Sequence, residues 1–116
     1  KELKANGQDI LSFSAGEPDF DTPQIIKTEA ISAINNGFTK YTAVDGIPEL
    51  KDAIVEKLKR DNNLNYSRNN IIVSNGAKHS LFNLFQALID EGDEVIIPSP
   101  YWVTYPELVK FSNGKV

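Results

Sequence analysis

Residues 71–81 read IIVSNGAKHSL, and this stretch decides the fold. Its first three residues are apolar and β-branched and predict a short buried strand, and a helix of small residues begins directly after Asn75 and Gly76. The start of a helix presents backbone N–H groups without partners and the positive end of the helix dipole. Lys78 adds a cation there, so the stretch predicts a site for an anion such as phosphate. Because Asn-Gly is also common turn chemistry, a plain strand-to-helix turn is the alternative.

Composition limits the classes of function. The chain has 116 residues, with 12 basic and 16 acidic side chains, and its net charge of -4 argues against a nucleic-acid or membrane-surface partner. With one histidine and no cysteine, disulfides are excluded and a zinc site is disfavoured. No apolar run approaches the ~20 residues of a membrane span, and the first residues show no signal peptide, so we expect a cytoplasmic protein. The missing initiator methionine and the strand-like residues 114–116 predict a fragment of a longer protein.

Helical periodicity marks four segments. The first is predicted to begin at Thr22 as N-cap with Pro23 in its first turn and to run to about residue 36, and the second begins at Pro48 and ends near residues 61–65. The third runs from about 77 to 91 and stops at Gly92, and the fourth runs from 101 or 103 to 111. In the third helix four side chains are predicted to face the core: Leu81, Leu84, Phe85 and Leu88.

The strands predicted at residues 71–73 and 94–97 flank the third helix, so they should be parallel in an α/β layered domain. Ligands in such sheets bind beyond the carboxyl ends of the strands, which places residues 75–78 and 99–102 on one crevice. Trp102 could stack there on a planar ligand, or it could simply pack under its loop. Nucleotide-binding glycine motifs are absent. His79 has no carboxylate spaced to orient it and is disfavoured as a catalytic base.

Seven motifs, in order along the whole chain, resemble class I pyridoxal-phosphate aminotransferases, and most closely the bacterial aspartate aminotransferase branch. They are SAGEPDFDTP at 14–23, KY at 40–41, GIPEL at 46–50, NGAK at 75–78, LFNLFQ at 81–86, GDEV at 92–95 and SPYWVTYP at 99–106.

The resemblance implies pyridoxal 5'-phosphate as cofactor. Gly76, Ala77 and Lys78 would contact its phosphate through their backbone N–H groups, and Trp102 would stack on its ring. Tyr41 would reach the cofactor phosphate in the partner subunit, which makes the parent protein a homodimer.

The resemblance also implies the substrate contacts. The backbone N–H of Gly16 would lie near the α-carboxylate, Lys78 near the distal carboxylate of an acidic substrate, and Trp102 against the substrate. A cis peptide bond between Ser99 and Pro100 is expected.

The implied fold is the N-terminal part of a pyridoxal-phosphate-dependent transferase, three-layered with a mostly parallel sheet that is incomplete here. Residues 1–36 would belong to the small-domain side and 37–116 to the large cofactor-binding domain. The implied activity moves an amino group between aspartate, or another acidic amino acid, and a 2-oxo acid through a cofactor aldimine.

No segment resembles the family's Schiff-base lysine, so we expect the 116 residues alone to be inactive. Three alternatives stay open: a prephenate aminotransferase, a C–S lyase of the same family, and a non-catalytic effector or interaction module.

Overall fold

The computed structural model describes residues 2–11, 13 and 16–116, and it divides into two compact units, 1–41 and 42–116. Ser14 and Ala15, which begin the first of the seven motifs, lie outside the described residues. The first unit contains helices α1 (Glu2–Ala5) and α2 (Gln24–Asn35). The second contains α3 (Pro48–Asn62), a 3₁₀ turn (Arg68–Asn70), α4 (Ala77–Leu88) and α5 (Thr104–Phe111). None of the helices in the described residues combines the length and the apolar character that a membrane crossing requires.

Proline and turn chemistry place the helix boundaries. Pro48 is the first residue of α3, as predicted, because its fixed φ suits a helix start and its missing N–H leaves no partner unsatisfied there. Asn63 closes α3 in the left-handed region at φ 54, and Leu64 N–H donates to the Leu58 carbonyl 3.1 Å away. The predicted N-cap at Thr22 is wrong: α2 begins at Gln24, and Pro23 is its N-cap, without a side-chain hydrogen bond.

Helix α4 ends three residues before the predicted boundary. Ile89 already adopts extended backbone with φ -103 and ψ 122. Asp90 N–H then donates to the Asp93 carboxylate at 2.8 Å, and Asp93 N–H returns to the Asp90 carbonyl at 3.1 Å. This local side-chain turn competes with the last helical turn, so the helix stops before Gly92 is reached.

The core of the second unit lies between α4 and α5. Val109 is fully buried, and the Phe82 and Phe111 rings, which are 36% and 66% exposed, meet at the surface between the two helices with centroids 5.4 Å apart. The prediction that Leu84 and Leu88 face the core is wrong, because they are 49% and 69% exposed. Apolar residues surround most of the circumference of α4, so the sequence pattern does not select the face that packs on α5.

The predicted strands are not formed in the described residues. Glu94 and Lys115 form one isolated parallel bridge, in which Val95 N–H donates to the Lys115 carbonyl at 2.8 Å. Val73 N–H donates instead to the carbonyl of Asp45 at 3.0 Å. A strand is defined by a ladder of such bonds with its neighbours, and a single bridge does not make a ladder.

A buried lysine on α3 binds the loop that precedes this helix, and that loop contacts the segment at 71–74. Lys51 on α3 is 5% exposed and pairs with the Asp45 carboxylate. The hydrogen bond from Lys51 holds the pKa of that carboxyl below its ordinary value. Gly46, at φ +105, lies so close to Val73 that an added Cβ would stand 2.6 Å from Val73 Cγ2. The loop before α3 is therefore closely packed against the residues that lead to the start of α4.

Candidate anion and ring-binding site

The start of α4 presents three backbone N–H groups to solvent. Gly76 is the N-cap, and the first backbone bond of the helix runs from Ser80 N–H to the Gly76 carbonyl at 3.3 Å. Among the described residues, the N–H groups of Ala77, Lys78 and His79 donate to no protein acceptor. Their dipoles add to that of the helix, so this point favours an anion.

Gly76 shapes the approach to these groups. Its φ of +83 lies in the region that favours glycine, and its own N–H donates to the Ser74 carbonyl at 2.9 Å. A Cβ built at Gly76 would meet no atom of the described residues within 4 Å. The space in front of the turn is therefore open to a ligand, and the free N–H groups belong to the next three residues rather than to Gly76 itself.

Lys78 and Trp102 come together across the second unit. The Lys78 ammonium lies over the Trp102 ring, 4.3 Å from its centroid. Trp102 is 56% exposed, so the pair stands at the surface, where a cation–π contact contributes roughly 0.5–1 kcal/mol. The structure thus places the predicted cation and the predicted aromatic ring at one point, as expected if the two segments line one crevice, although the strands on which that expectation rested are not formed in the described residues.

The peptide bond between Ser99 and Pro100 is cis, which confirms that prediction. It lies two residues before Trp102.

Gly16 and Tyr41 belong to the first compact unit, and both are exposed. The substrate role of Gly16 and the cofactor role of Tyr41 stay predictions. In the described residues, no group of three or more side chains could hold a metal ion.

The sequence reasoning missed the local role of His79. Asn75 N–H donates to His79 Nδ1 at 3.0 Å, so the imidazole is an acceptor for the backbone just before the helix. A signal was present, because His79 is the third residue of α4, the position from which a capping-box side chain reaches back.

An exposed ion pair lies away from this site, between Arg68 and Asp52. Arg68 donates to the Asp52 carboxylate, Nε to Oδ1 at 2.7 Å, and this hydrogen bond lowers the pKa of Asp52 and raises that of Arg68. The pair joins α3 to the 3₁₀ turn that precedes residues 71–74.

Comparisons with known proteins agree with the geometry. The sequence model of the family "Aminotransferase class I and II" matches residues 8–116. The aspartate aminotransferase of Bacillus sp. (strain YM-2) is 59% identical over 98% of this chain and 29% of its own length. A probable aspartate/prephenate aminotransferase of Rickettsia conorii is also 59% identical, over 97% of this chain and 28% of its own.

A solved aspartate aminotransferase of Thermus thermophilus, with maleate, superposes with a TM-score of 0.92 and 52% identity over 98% of this chain and 30% of that one. The chain therefore spans less than a third of the length of these relatives. Its backbone follows that of the Thermus thermophilus enzyme, although the three-layer sheet is not confirmed in the described residues. The chain belongs to the class I and II aminotransferase family.

Proposed function

We propose that the protein containing this chain is an aspartate aminotransferase that uses pyridoxal 5'-phosphate. It would move an amino group between aspartate, or another acidic amino acid, and a 2-oxo acid. The observation that carries this proposal is the start of α4, where three free N–H groups lie beside a Lys78 ammonium 4.3 Å from the Trp102 ring centroid. Family membership supplies the reaction class.

The residues present fit the phosphate end and the ring of this cofactor. Ala77 and Lys78 would donate backbone N–H groups to the phosphate, and Gly76 would leave room for it because no side chain fills the space. Trp102 would offer an indole face to the pyridine ring and to the substrate. When bound, the cofactor supplies an electron sink for the substrate carbon that exchanges the amino group.

Lys78 would select substrates that carry a negatively charged side chain. Its ammonium is exposed at the mouth of the site and can pair with a distal carboxylate, while the Trp102 ring limits where the flexible side chain rests. The Thermus thermophilus enzyme was solved with maleate, which is a dicarboxylate, and this supports an acidic substrate here. Gly16 would receive the α-carboxylate through its backbone N–H.

The whole protein would have a parallel sheet, two domains and two subunits. Residues 71–73 and 94–97 would be strands of a mostly parallel sheet, which the parallel direction of the Glu94–Lys115 bridge supports. Residues 1–36 would belong to the small-domain side and 37–116 to the large domain. The protein would be a homodimer in which Tyr41 reaches the partner subunit's cofactor, and sedimentation of the protein at its natural length tests the dimer.

The phosphate role of the α4 start is tested by measuring binding of pyridoxal 5'-phosphate and of pyridoxal, which lacks the phosphate, to the protein at its natural length. Gly76→Val should weaken binding of the phosphorylated form by about 10-fold or more and leave pyridoxal binding unchanged, because the new side chain fills the anion space. Gly92→Val is the matched control, since Gly92 also has positive φ, at +92, and an open Cβ position. Equal losses in both variants would remove the phosphate role of the α4 start.

Lys78→Met tests the substrate class. We expect kcat/KM for aspartate to fall by roughly 10-fold to 100-fold, because a charged hydrogen bond is lost, while kcat/KM for alanine changes little. Unchanged kinetics with aspartate would show that Lys78 does not bind the distal carboxylate.

Prephenate is a second candidate amino acceptor, favoured by the name of the Rickettsia conorii relative. Direct comparison of prephenate with 2-oxoglutarate as acceptor, with aspartate as donor, separates the two. A kcat/KM for prephenate equal to or above that for 2-oxoglutarate would favour the aspartate/prephenate assignment.

A further inference from the structure

The turn before α4 is held by an imidazole. Gly76, the N-cap, offers no side chain, and the structure shows no side-chain cap bond at that residue. One residue earlier, Asn75 N–H donates to Nδ1 of His79 at 3.0 Å. His79 is the third helical residue, from which the Glu or Gln of a capping box accepts a backbone N–H in the same backward direction. His79 therefore acts as a helix-capping acceptor, but the N–H that it accepts belongs to Asn75, one residue before the N-cap Gly76.

At Gly76 itself, no close side-chain packing in the described residues holds the backbone in place. Gly76 has φ +83 and ψ 165, and nothing lies within 4 Å of its Cβ position. Two hydrogen bonds hold the backbone: Gly76 N–H to the Ser74 carbonyl at 2.9 Å, and Asn75 N–H to His79. If the second bond is lost, Asn75 N–H needs a new acceptor and a flexible glycine becomes free to rotate. The free N–H groups of Ala77 and Lys78 would then lose their common direction.

We propose that His79 is a positioning residue, which fixes residues 74–78 in their anion-receiving shape by accepting the Asn75 N–H at Nδ1. The inference rests on the proposed phosphate role of the α4 start and deepens it. An imidazole accepts at Nδ1 only while that nitrogen carries no proton, so the ring proton must sit on Nε2. The His79 ring is thereby assigned neither proton transfer nor direct contact with the anion.

The first experiment needs no cofactor. In the cofactor-free protein at its natural length, nitrogen NMR of the His79 ring should show Nδ1 unprotonated and the proton on Nε2. Hydrogen exchange of the Asn75 amide should accelerate by about 5- to 10-fold in His79→Ala, the effect of one cap bond. A proton on Nδ1, or an Asn75 exchange rate unchanged by His79→Ala, would overturn the inference.

The second experiment measures dissociation constants of pyridoxal 5'-phosphate and of pyridoxal. His79→Ala should weaken binding of the phosphorylated form by roughly 5- to 30-fold without changing pyridoxal binding. His79→Gln should stay within about threefold of the unaltered protein, because Gln carries an acceptor that suits this helix position. If His79→Gln is as weak as His79→Ala, the imidazole itself contacts the ligand and the positioning role is wrong.

The two proposals can fail separately. If the unaltered protein binds pyridoxal as tightly as the phosphorylated cofactor, the start of α4 does not bind the phosphate. The proposal that His79 positions residues 74–78 for an anion is then refuted as well. If instead the NMR and exchange results alone fail, His79 is not the cap, and the phosphate anchor stands. The thermal midpoint of each variant identifies any general loss of folding, and His79→Gln provides the folded control.

Discussion

Replacing Gly46 by Ala should open the contact between the loop before α3 and residues 71–74. The new Cβ would stand 2.6 Å from Val73 Cγ2 and 2.9 Å from Val73 Cβ, well inside normal contact. Such overpacking costs about 1–3 kcal/mol. A non-glycine residue at the Gly46 φ of +105 adds strain of about 1–3 kcal/mol. Together these terms predict a local loss of roughly 2–6 kcal/mol.

Hydrogen exchange of the Val73 amide measures this loss directly, because that N–H donates to the Asp45 carbonyl at 3.0 Å, next to the substituted residue. A loss of about 2 kcal/mol or more corresponds to a roughly 30-fold or greater increase in exchange rate, up to the limit set by global unfolding. The protein at its natural length is used for the measurement, and the local readout avoids any assumption of two-state unfolding.

Gly92→Ala is the matched control. Gly92 has a similar φ of +92, but an added Cβ there meets nothing within 4 Å, so this variant carries strain without overpacking. Val73 exchange should therefore be unaffected by Gly92→Ala, and Val73→Ala combined with Gly46→Ala should recover part of the loss, because the crowded methyl groups are removed. If Gly46→Ala leaves Val73 exchange at the rate of the Gly92 control, the close-contact explanation is refuted.

Three smaller predictions concern the rest of the second unit. Ser112→Ala should cost about 1 kcal/mol, seen as faster exchange of Gly114 N–H, because buried Ser112 Oγ accepts from Gln86 Nε2 at 2.6 Å; slower exchange would contradict this. Gly114→Ala should cost about 1–3 kcal/mol in a thermal or denaturant measurement, since its Cβ would lie 2.8 Å from a neighbouring methyl group; an unchanged midpoint would be the contrary result. Arg68→Gln should raise the lowered pKa of Asp52 in a carbon NMR titration. With the Arg68–Asp52 pair intact, its contribution to stability is fully present above about pH 4, the ordinary carboxyl range. That contribution disappears as pH falls through the lowered folded-state pKa of Asp52. Added salt should weaken the pair.

Local chemistry made the helices predictable. Pro48 at the start of α3 and Asn63 beyond its end act within one turn of the chain, so their effect can be read from sequence alone. The end of α4 was mispredicted because a carboxylate three residues away, Asp93, captured the Asp90 N–H. That choice between two local hydrogen-bond patterns depends on side-chain placement, which a glycine signal does not reveal.

Burial and the sheet depend on contacts that are distant in sequence. The pattern of α4 offered several apolar faces, and the contact of Phe82 with Phe111 selected one that leaves Leu88 exposed. At the candidate site, topology alone predicted that residues 75–78 and 99–102 line one crevice, and the Lys78 ammonium does lie over the Trp102 ring. The Asn75–His79 bond was missed, because an imidazole is judged first as a proton carrier or metal ligand and seldom as a helix cap.

The parallel bridge between Glu94 and Lys115 also bears on the order of folding. The residues between the two bridge partners include α5. The hydrogen bond from Gln86 to Ser112, whose partners are 26 residues apart, adds a contact between α4 and the end of α5. Together the two contacts connect α4, α5 and residues 93–115 through short loops. Closing short loops costs little chain entropy, and the cost rises slowly, with the logarithm of loop length. Contacts of moderate sequence separation favour early folding, so this region can act as a folding nucleus. Substitutions at Ser112 should accordingly slow folding, whereas substitutions at Lys78 should leave the folding rate unchanged.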